Sequence, residues 1–127
     1  MRTHVLQRYG ILLDTLAQIT DVERQVVQQG AQPGAFVPDQ LLEQWTLTFQ
    51  GGRGFFESGL DEEIVSVLVD FDYFLDNMIG FLPTTALNKE AYIRYDEGWQ
   101  EIREMADWTL KRIAFLQMPG EVEFDLN

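Results

Sequence analysis

The sequence contains no cysteine, one histidine, and only nine Lys and Arg residues against 21 Asp and Glu residues. Without cysteine the chain forms no disulfide and offers no thiolate to a metal, and one histidine is too few for a histidine-rich metal site. The formal net charge of -12 argues against binding nucleic acid or an anionic membrane surface. The charge suits a basic partner; the alternative is that it only keeps the protein soluble.

The sequence also lacks a long uncharged apolar run. A transmembrane helix needs roughly 18 or more predominantly apolar residues, and Asp70, Asp72 and Asp76 interrupt the best candidate. A secretory signal peptide is not predicted, because the N-terminal stretch has a short apolar part and no small-residue cleavage pattern. A cytoplasmic location is the expectation, and the lack of cysteine fits a reducing compartment.

The apolar residues that are present are enough for one core. The chain has 127 residues, of which 46% are hydrophobic and 13% aromatic. We predict a single helical domain over residues 1–118 and an acidic tail over residues 119–127. Apolar residues recur at spacings of three and four, so the predicted fold class is all-α, an antiparallel bundle of four to five helices.

The longest strongly apolar segment, from Leu60 to Pro83, is predicted to form the central helix. The carboxylate of Asp61 is suited to cap its first turn, where Glu62 and Glu63 interact favourably with the helix dipole. Pro83 is predicted to end the helix.

This central helix is predicted to have one apolar face and one acidic face. At about 100° per residue, the predicted core face comprises Ile64, Val67, Leu68, Phe71, Phe74, Leu75 and Met78. The opposite face comprises Val65, Val69 and Tyr73 interleaved with Glu62, Asp72 and Asp76. Because no Lys or Arg occurs between Arg53 and Lys89, we expect a negative potential on the outer face.

Two helices are predicted before residue 30. The apolar period favours a helix over Thr3–Ile19, and continuing it further would place Glu23 in the apolar face. Thr20 and Glu23 instead have the spacing of a capping box. We therefore predict a break near Thr20, followed by a short helix over Asp21–Gln29 that Gly30 stops.

The segment around Trp45 allows two interpretations. A helix that Pro38 opens and that runs to Phe49 agrees with the apolar pattern upstream. Alternation over Trp45–Phe49 also resembles a strand, and the glycine pair after it could turn a hairpin that ends near residue 56. We prefer the helix and keep the hairpin as the alternative.

The last helix is predicted over Asp96–Gln117, with a single turn around Glu90–Arg94 before it. Its predicted buried stripe comprises Trp99, Ile102, Ala106, Leu110, Ile113 and Leu116. The opposite face comprises Glu97, Glu101, Glu104, Trp108 and Phe115. Asp107 and Lys111 are spaced for an ion pair along the helix. A large aromatic such as Trp108 among carboxylates is either packed against a neighbouring segment or a binding anchor.

Catalytic and cofactor motifs are poorly supported. Residues two apart on a helix point to nearly opposite sides, so Asp70 cannot join Asp72 and Asp76 in a magnesium site. The glycine-rich turn around Arg53 lacks the Lys-Ser/Thr of a phosphate-binding P-loop. We predict no cofactor and no metal, and keep a metal-dependent all-α hydrolase, with Glu97, Glu101 and Glu104 as further ligands, only as a weak alternative.

The preferred hypothesis is a small acidic protein that binds and inhibits a basic partner. Carboxylates would steer the partner while aromatic side chains supply affinity. The predicted partner-binding residues are Glu62, Asp72, Tyr73, Asp76, Glu97, Glu101, Glu104 and Trp108. In its charge and size this profile is similar to the immunity proteins that neutralise bacterial nuclease toxins, which would imply a nuclease as partner.

The alternative hypothesis is an interaction module, either a homo-oligomer or a subunit of an assembly. Two acidic faces repel each other, so a homodimer would instead use Phe36, Phe55, Phe56 or the first helix. The sequence leaves both a monomer and a homodimer open.

Overall fold

The computed structural model describes residues 2–55, 60–79 and 88–117. Within these ranges the chain forms six α-helices, one 3₁₀ turn and no strand, so the all-α prediction is confirmed. The elements are α1 (Arg2–Thr20), α2 (Val22–Ala31), α3 (Val37–Phe49), the 3₁₀ turn (Gln50–Gly52), α4 (Glu62–Ile79), α5 (Lys89–Tyr95) and α6 (Glu97–Leu116).

The number of helices exceeds the predicted four to five, because the single turn expected around Glu90–Arg94 is the helix α5. The Asn88 side chain caps α5 by accepting a hydrogen bond from the backbone N–H of Ala91 at 2.9 Å. Burial of Tyr92 and Ile93 then holds these seven residues in place. So short a helix gains most of its stability from tertiary packing, which a local sequence pattern does not show.

Helices α1 and α3 pack together in opposite directions. Near the start of α1, the Arg8 guanidinium donates to the carbonyls of Thr48 at 3.0 and 3.1 Å and of Phe49 at 3.4 Å, at the end of α3. Further along α1, the Thr15 hydroxyl accepts from the Gln44 amide at 2.6 Å.

Helix α6 returns along the other flank of α1, also antiparallel to it. At the C-terminal end of α6, the Gln117 amide donates to the Tyr9 hydroxyl at 3.0 Å. At its N-terminal end, the Trp99 indole donates to the Gln25 side chain at 2.9 Å. Gln25 in turn donates to the carbonyl of Ile19, near the end of α1.

Helix α4 completes the bundle by packing against α6 and against the 3₁₀ turn. It meets α3 through Trp45, whose ring lies edge-on to Phe71 at 4.7 Å and whose indole N–H donates to Asp72 at 2.9 Å. The short helices α2 and α5 pack together at one end, where Arg94 pairs with Glu23 at 2.8 Å. None of the helices in the described ranges is long and apolar enough to cross a membrane.

The predicted core faces of α4 and α6 are confirmed. Every residue assigned to them is buried or partly buried: Ile64, Val67, Leu68, Phe71, Phe74, Leu75 and Met78 on α4, and Trp99, Ile102, Ala106, Leu110, Ile113 and Leu116 on α6. The placement of Val65 on the outer face is wrong, since this side chain is only 1% exposed. Helix α4 packs against both α6 and the 3₁₀ turn. A helix with two neighbours buries a wider arc of its surface than a helix with one neighbour.

The predicted break after α1 is confirmed, but its cap differs. The Asp21 carboxylate, not the Thr20 hydroxyl, accepts from the backbone N–H of Arg24 at 3.0 Å. The Thr20 hydroxyl donates to the carbonyl of Ala17 at the end of α1. Adjacent Thr and Asp both favour the cap position, so the sequence pattern does not distinguish them. Helix α2 also extends to Ala31, beyond the predicted stop at glycine.

The hairpin alternative around Trp45 is wrong for the described residues. A strand would place Trp45, Leu47 and Phe49 on one face, but Leu47 is 65% exposed while the two aromatic side chains are buried. Helix α3 ends at Phe49, and its cap residue Gln50 has a left-handed φ of 53°, which starts a turn that three glycines with positive φ continue.

Three predictions fall outside the described residues. These are the stop at Pro83, the use of Phe56 in a homodimer contact, and the acidic tail over residues 119–127.

Candidate functional site

Charge is distributed unevenly among the helices. Helices α3 and α4 contain no Lys or Arg and seven carboxylates: Asp39, Glu43, Glu62, Glu63, Asp70, Asp72 and Asp76. Helices α1 and α6 contain five acidic residues (Asp14, Glu97, Glu101, Glu104, Asp107) and five basic ones (Arg2, Arg8, Arg103, Lys111, Arg112). We call the α3–α4 pair the acidic side and the α1–α6 pair the balanced side.

The outer surface of α4 is the centre of the acidic side. Glu62, Asp70 and Asp76 are exposed there, as predicted for Glu62 and Asp76. Tyr73 stands among them with 70% of its surface exposed. An exposed tyrosine beside carboxylates combines an apolar ring with negative potential, which is a suitable surface for a cationic protein.

A depression of about 270 Å³ lies one helical turn before Tyr73 on the same helix. It is lined by Leu60, Glu62, Val65, Ser66 and Val69. The buried Val65 and the partly buried Val69 give it an apolar surface, and the exposed Glu62 and Ser66 supply polar atoms. We call this feature the anchor depression.

Asp72 differs from the other predicted carboxylates of α4. Its side chain is partly buried and accepts the Trp45 indole N–H at 2.9 Å. Burial raises the pKa of Asp72 above its usual range; the indole hydrogen bond opposes this rise, and the nearby Asp76 carboxylate adds to it. The structure therefore gives Asp72 a structural contact that joins α3 to α4.

The predicted residues of α6 lie in a more mixed environment. Glu97, Glu101 and Glu104 are exposed on its first half, and Trp108 is 49% exposed. The second half is basic and aromatic: Lys111 pairs with Asp107 at 2.9 Å, and the Arg112 guanidinium lies 5.8 Å from the centre of the Phe115 ring. Trp108 thus stands at the junction of acidic and basic halves, and not within a carboxylate-rich face.

Two of the aromatic residues proposed for a homodimer, Phe36 and Phe55, pack inside the described part of the chain. Phe55 is fully buried, stacks on Phe49 at 5.7 Å, and lies 4.6 Å beneath the Arg8 guanidinium. Phe36 packs edge-on against Tyr92 at 5.0 Å. The prediction that Phe55 is available for a dimer contact is therefore wrong.

The described residues offer no donor set for the metal-dependent hydrolase considered above. In these ranges no three His, Asp or Glu side chains are grouped closely enough to hold a metal ion. Asp70 is exposed, whereas Asp72 points toward Trp45, in agreement with the predicted divergence of residues two apart.

Sequence reasoning missed two features of this site. The anchor depression is lined in part by Val65, whose burial the helical wheel of α4 did not predict. The partnership of Asp72 with Trp45 joins residues 27 apart in sequence. A useful signal for the second is that Asp72 lies between the apolar face and the exposed face of α4 on a helical wheel, where a carboxylate can reach a neighbouring helix.

Compared with protein-family models, curated proteins and solved structures, this chain shows no match.

Proposed function

We propose that this chain is a small acidic binding protein that docks a basic protein through the outer surface of α4. Glu62, Asp70, Tyr73 and Asp76 form the contact, and the chain acts as an inhibitor in the manner of the immunity proteins that neutralise nuclease toxins. The observation that carries the proposal is the distribution of charge: α3 and α4, which meet through Trp45, carry seven carboxylates and no cation, whereas α1 and α6 carry balanced charge.

Solubility alone does not account for this distribution of charge. A soluble surface is best served by charges of both signs interspersed, as on the balanced side. On α4, Asp72 and Asp76 are one turn apart, and like charges at that spacing destabilise a helix by about 0.2–0.5 kcal/mol. Within the described ranges the ion pairs involve Glu23, Glu90 and Asp107, none of which belongs to the acidic side.

Unpaired carboxylates on one side favour a cationic partner. Their fields add at short range, because the Debye length is about 8 Å at physiological ionic strength. They would raise the association rate, while the exposed Tyr73 ring would supply contact area once the partner has docked. A nuclease fits this chemistry, since its substrate groove must be basic to hold phosphates and would therefore also attract a carboxylate surface.

The test is affinity capture from the host lysate with three forms of the tagged chain. The first is the unmodified chain, and the second carries Asp70→Lys and Asp76→Lys on α4. The third carries Glu101→Lys and Glu104→Lys on α6, which changes the net charge by the same amount. We expect a strongly basic protein to bind the first and third forms, to elute with salt, and to be lost from the second.

Two results would contradict the proposal. Equal capture by the first and second forms would show that the α4 carboxylates take no part in binding. Loss from the third form alone would move the contact to α6 and its predicted residues Glu97, Glu101, Glu104 and Trp108.

A further inference from the structure

We propose that the anchor depression receives one large apolar side chain of the basic partner, with a Lys or Arg of the same partner beside it at Glu62. This inference rests on the proposed function and specifies the chemistry of the group that binds.

The size of the depression suits a single large side chain. Its volume is about 270 Å³. A cavity of roughly 150 Å³ is enough to hold a benzene ring, whereas pockets for drug-sized molecules begin near roughly 300 Å³ and extend to about 1,000 Å³. A leucine, isoleucine or phenylalanine side chain therefore fits.

The lining sets the polarity of the occupant. Val65 and Val69 are apolar, and a charged group placed against them would lose hydration without a compensating partner. The exposed Glu62 carboxylate also lines the depression and can accept a charge-assisted hydrogen bond from a cation next to the apolar group. The favoured ligand thus combines an apolar side chain with a neighbouring positive charge.

Charge also decides which protein supplies that side chain. Asp70 and Asp76 lie further along the same helix, and the chain as a whole carries a net charge of -12. A second copy would bring the same negative charge to the contact, which disfavours it. A basic partner places cations around the apolar group, so the depression would form the desolvated centre of an interface with a charged rim.

The test uses two synthetic helical peptides of about 20 residues, composed of Lys and Ala. One has a single central Leu, and the other has Ala at that position. We expect the Leu peptide to bind the unmodified chain about tenfold more tightly at low salt, because burial of the apolar side chain adds to the electrostatic attraction. The methyl NMR signals of Val65 and Val69 should shift only with the Leu peptide.

Two variants make the test specific to the depression. Val69→Trp fills it, and should remove the preference for Leu, so that the two peptides bind this variant with equal affinity. Val27→Trp on α2 is the matched control, because Val27 is 72% exposed and lies outside the acidic side; this variant should keep the preference.

The outcomes separate this inference from the proposed function. Equal, salt-sensitive binding of both peptides to the unmodified chain would overturn the anchor and leave the acidic contact intact. Binding of neither peptide, or binding that Asp70→Lys with Asp76→Lys does not weaken, would overturn both.

Discussion

The acidic side and the balanced side of the bundle are stabilised differently. Polar groups of the balanced side join helices: Gln117 at the end of α6 reaches Tyr9 on α1, and Arg8 on α1 reaches across to the end of α3. On the acidic side, the exposed carboxylates of α4 point outward, and Asp72 is the one that contacts a neighbouring helix, through Trp45. Among the described residues, the outer carboxylates of α4 thus contribute little to contacts between helices, as the proposed binding role requires.

The largest effect should come from removing the aromatic contact beneath the acidic side. Trp45→Ala would leave a cavity beside Phe71 and deprive Asp72 of its donor, and we expect it to lower the free energy of unfolding by about 3–5 kcal/mol. Urea denaturation followed by circular dichroism measures this. Trp108→Ala is the control, with an expected loss below about 1 kcal/mol because Trp108 is half exposed. Equal losses would mean that the two sides contribute to stability alike.

The next largest effect should come from the Arg8 contact between the balanced side and the end of α3. Its guanidinium donates to the carbonyls of Thr48, Phe49 and Arg53, so Arg8→Ala should cost about 1.5–3 kcal/mol of unfolding free energy. Arg8→Lys should recover little of it, since an ammonium cannot present the same fork of donors. Full recovery by Lys in the same denaturation experiment would show that charge alone matters here.

Asp72 offers a test of the acidic side that depends on pH. Asp72→Ala should lower the free energy of unfolding by about 1–3 kcal/mol by leaving the Trp45 indole N–H unpaired, whereas Asp72→Asn keeps an acceptor oxygen.

Because burial raises the pKa of Asp72 in the folded state, the folded protein binds the proton of the Asp72 carboxyl more tightly than the unfolded chain does. The contribution of Asp72 to stability is therefore highest below its unfolded pKa and falls as pH rises through the folded pKa.

We accordingly expect Asp72→Asn to raise the free energy of unfolding at pH 7, and the gain to diminish in acid as the wild-type carboxyl becomes protonated. Unfolding measured between pH 3 and pH 7 checks this. A gain that grew toward acid pH would contradict the pKa direction.

The smallest change in stability should come from replacing an exposed carboxylate of α4. Asp76→Lys removes a like charge one turn from Asp72, so it should stabilise the chain by about 0.2–0.5 kcal/mol while weakening partner binding. Thermal melting and partner capture on the same sample measure both quantities. A stabilised variant that still binds fully would show that Asp76 is not part of the contact.

Sequence periodicity was sufficient for the faces of the long helices but not for contacts between them. The spacing of Ile64, Phe71 and Leu75 identifies the core face of α4, because burial follows the helical period. The burial of Val65 was not predicted in this way, since a helical wheel does not show how many neighbours a helix packs against. Helix α5 was underestimated because its seven residues depend on the burial of Tyr92.

In the candidate site, too, exposure could be predicted from the helical period but contacts between helices could not. Exposure of Glu62, Tyr73 and Asp76 could be predicted, because the helical wheel places them away from the core. The contact between Asp72 and Trp45 could not, because it requires the relative position of α3 and α4.

The most direct test of the central claim is the salt dependence of affinity between the purified chain and the basic protein that it captures. For the unmodified chain we expect the affinity to fall steeply as salt rises. Asp70→Lys with Asp76→Lys should weaken binding at low salt and flatten this dependence, while Glu101→Lys with Glu104→Lys should change it little. An affinity that does not depend on salt, or a slope that only the α6 variant alters, would contradict the assignment of binding to the acidic side.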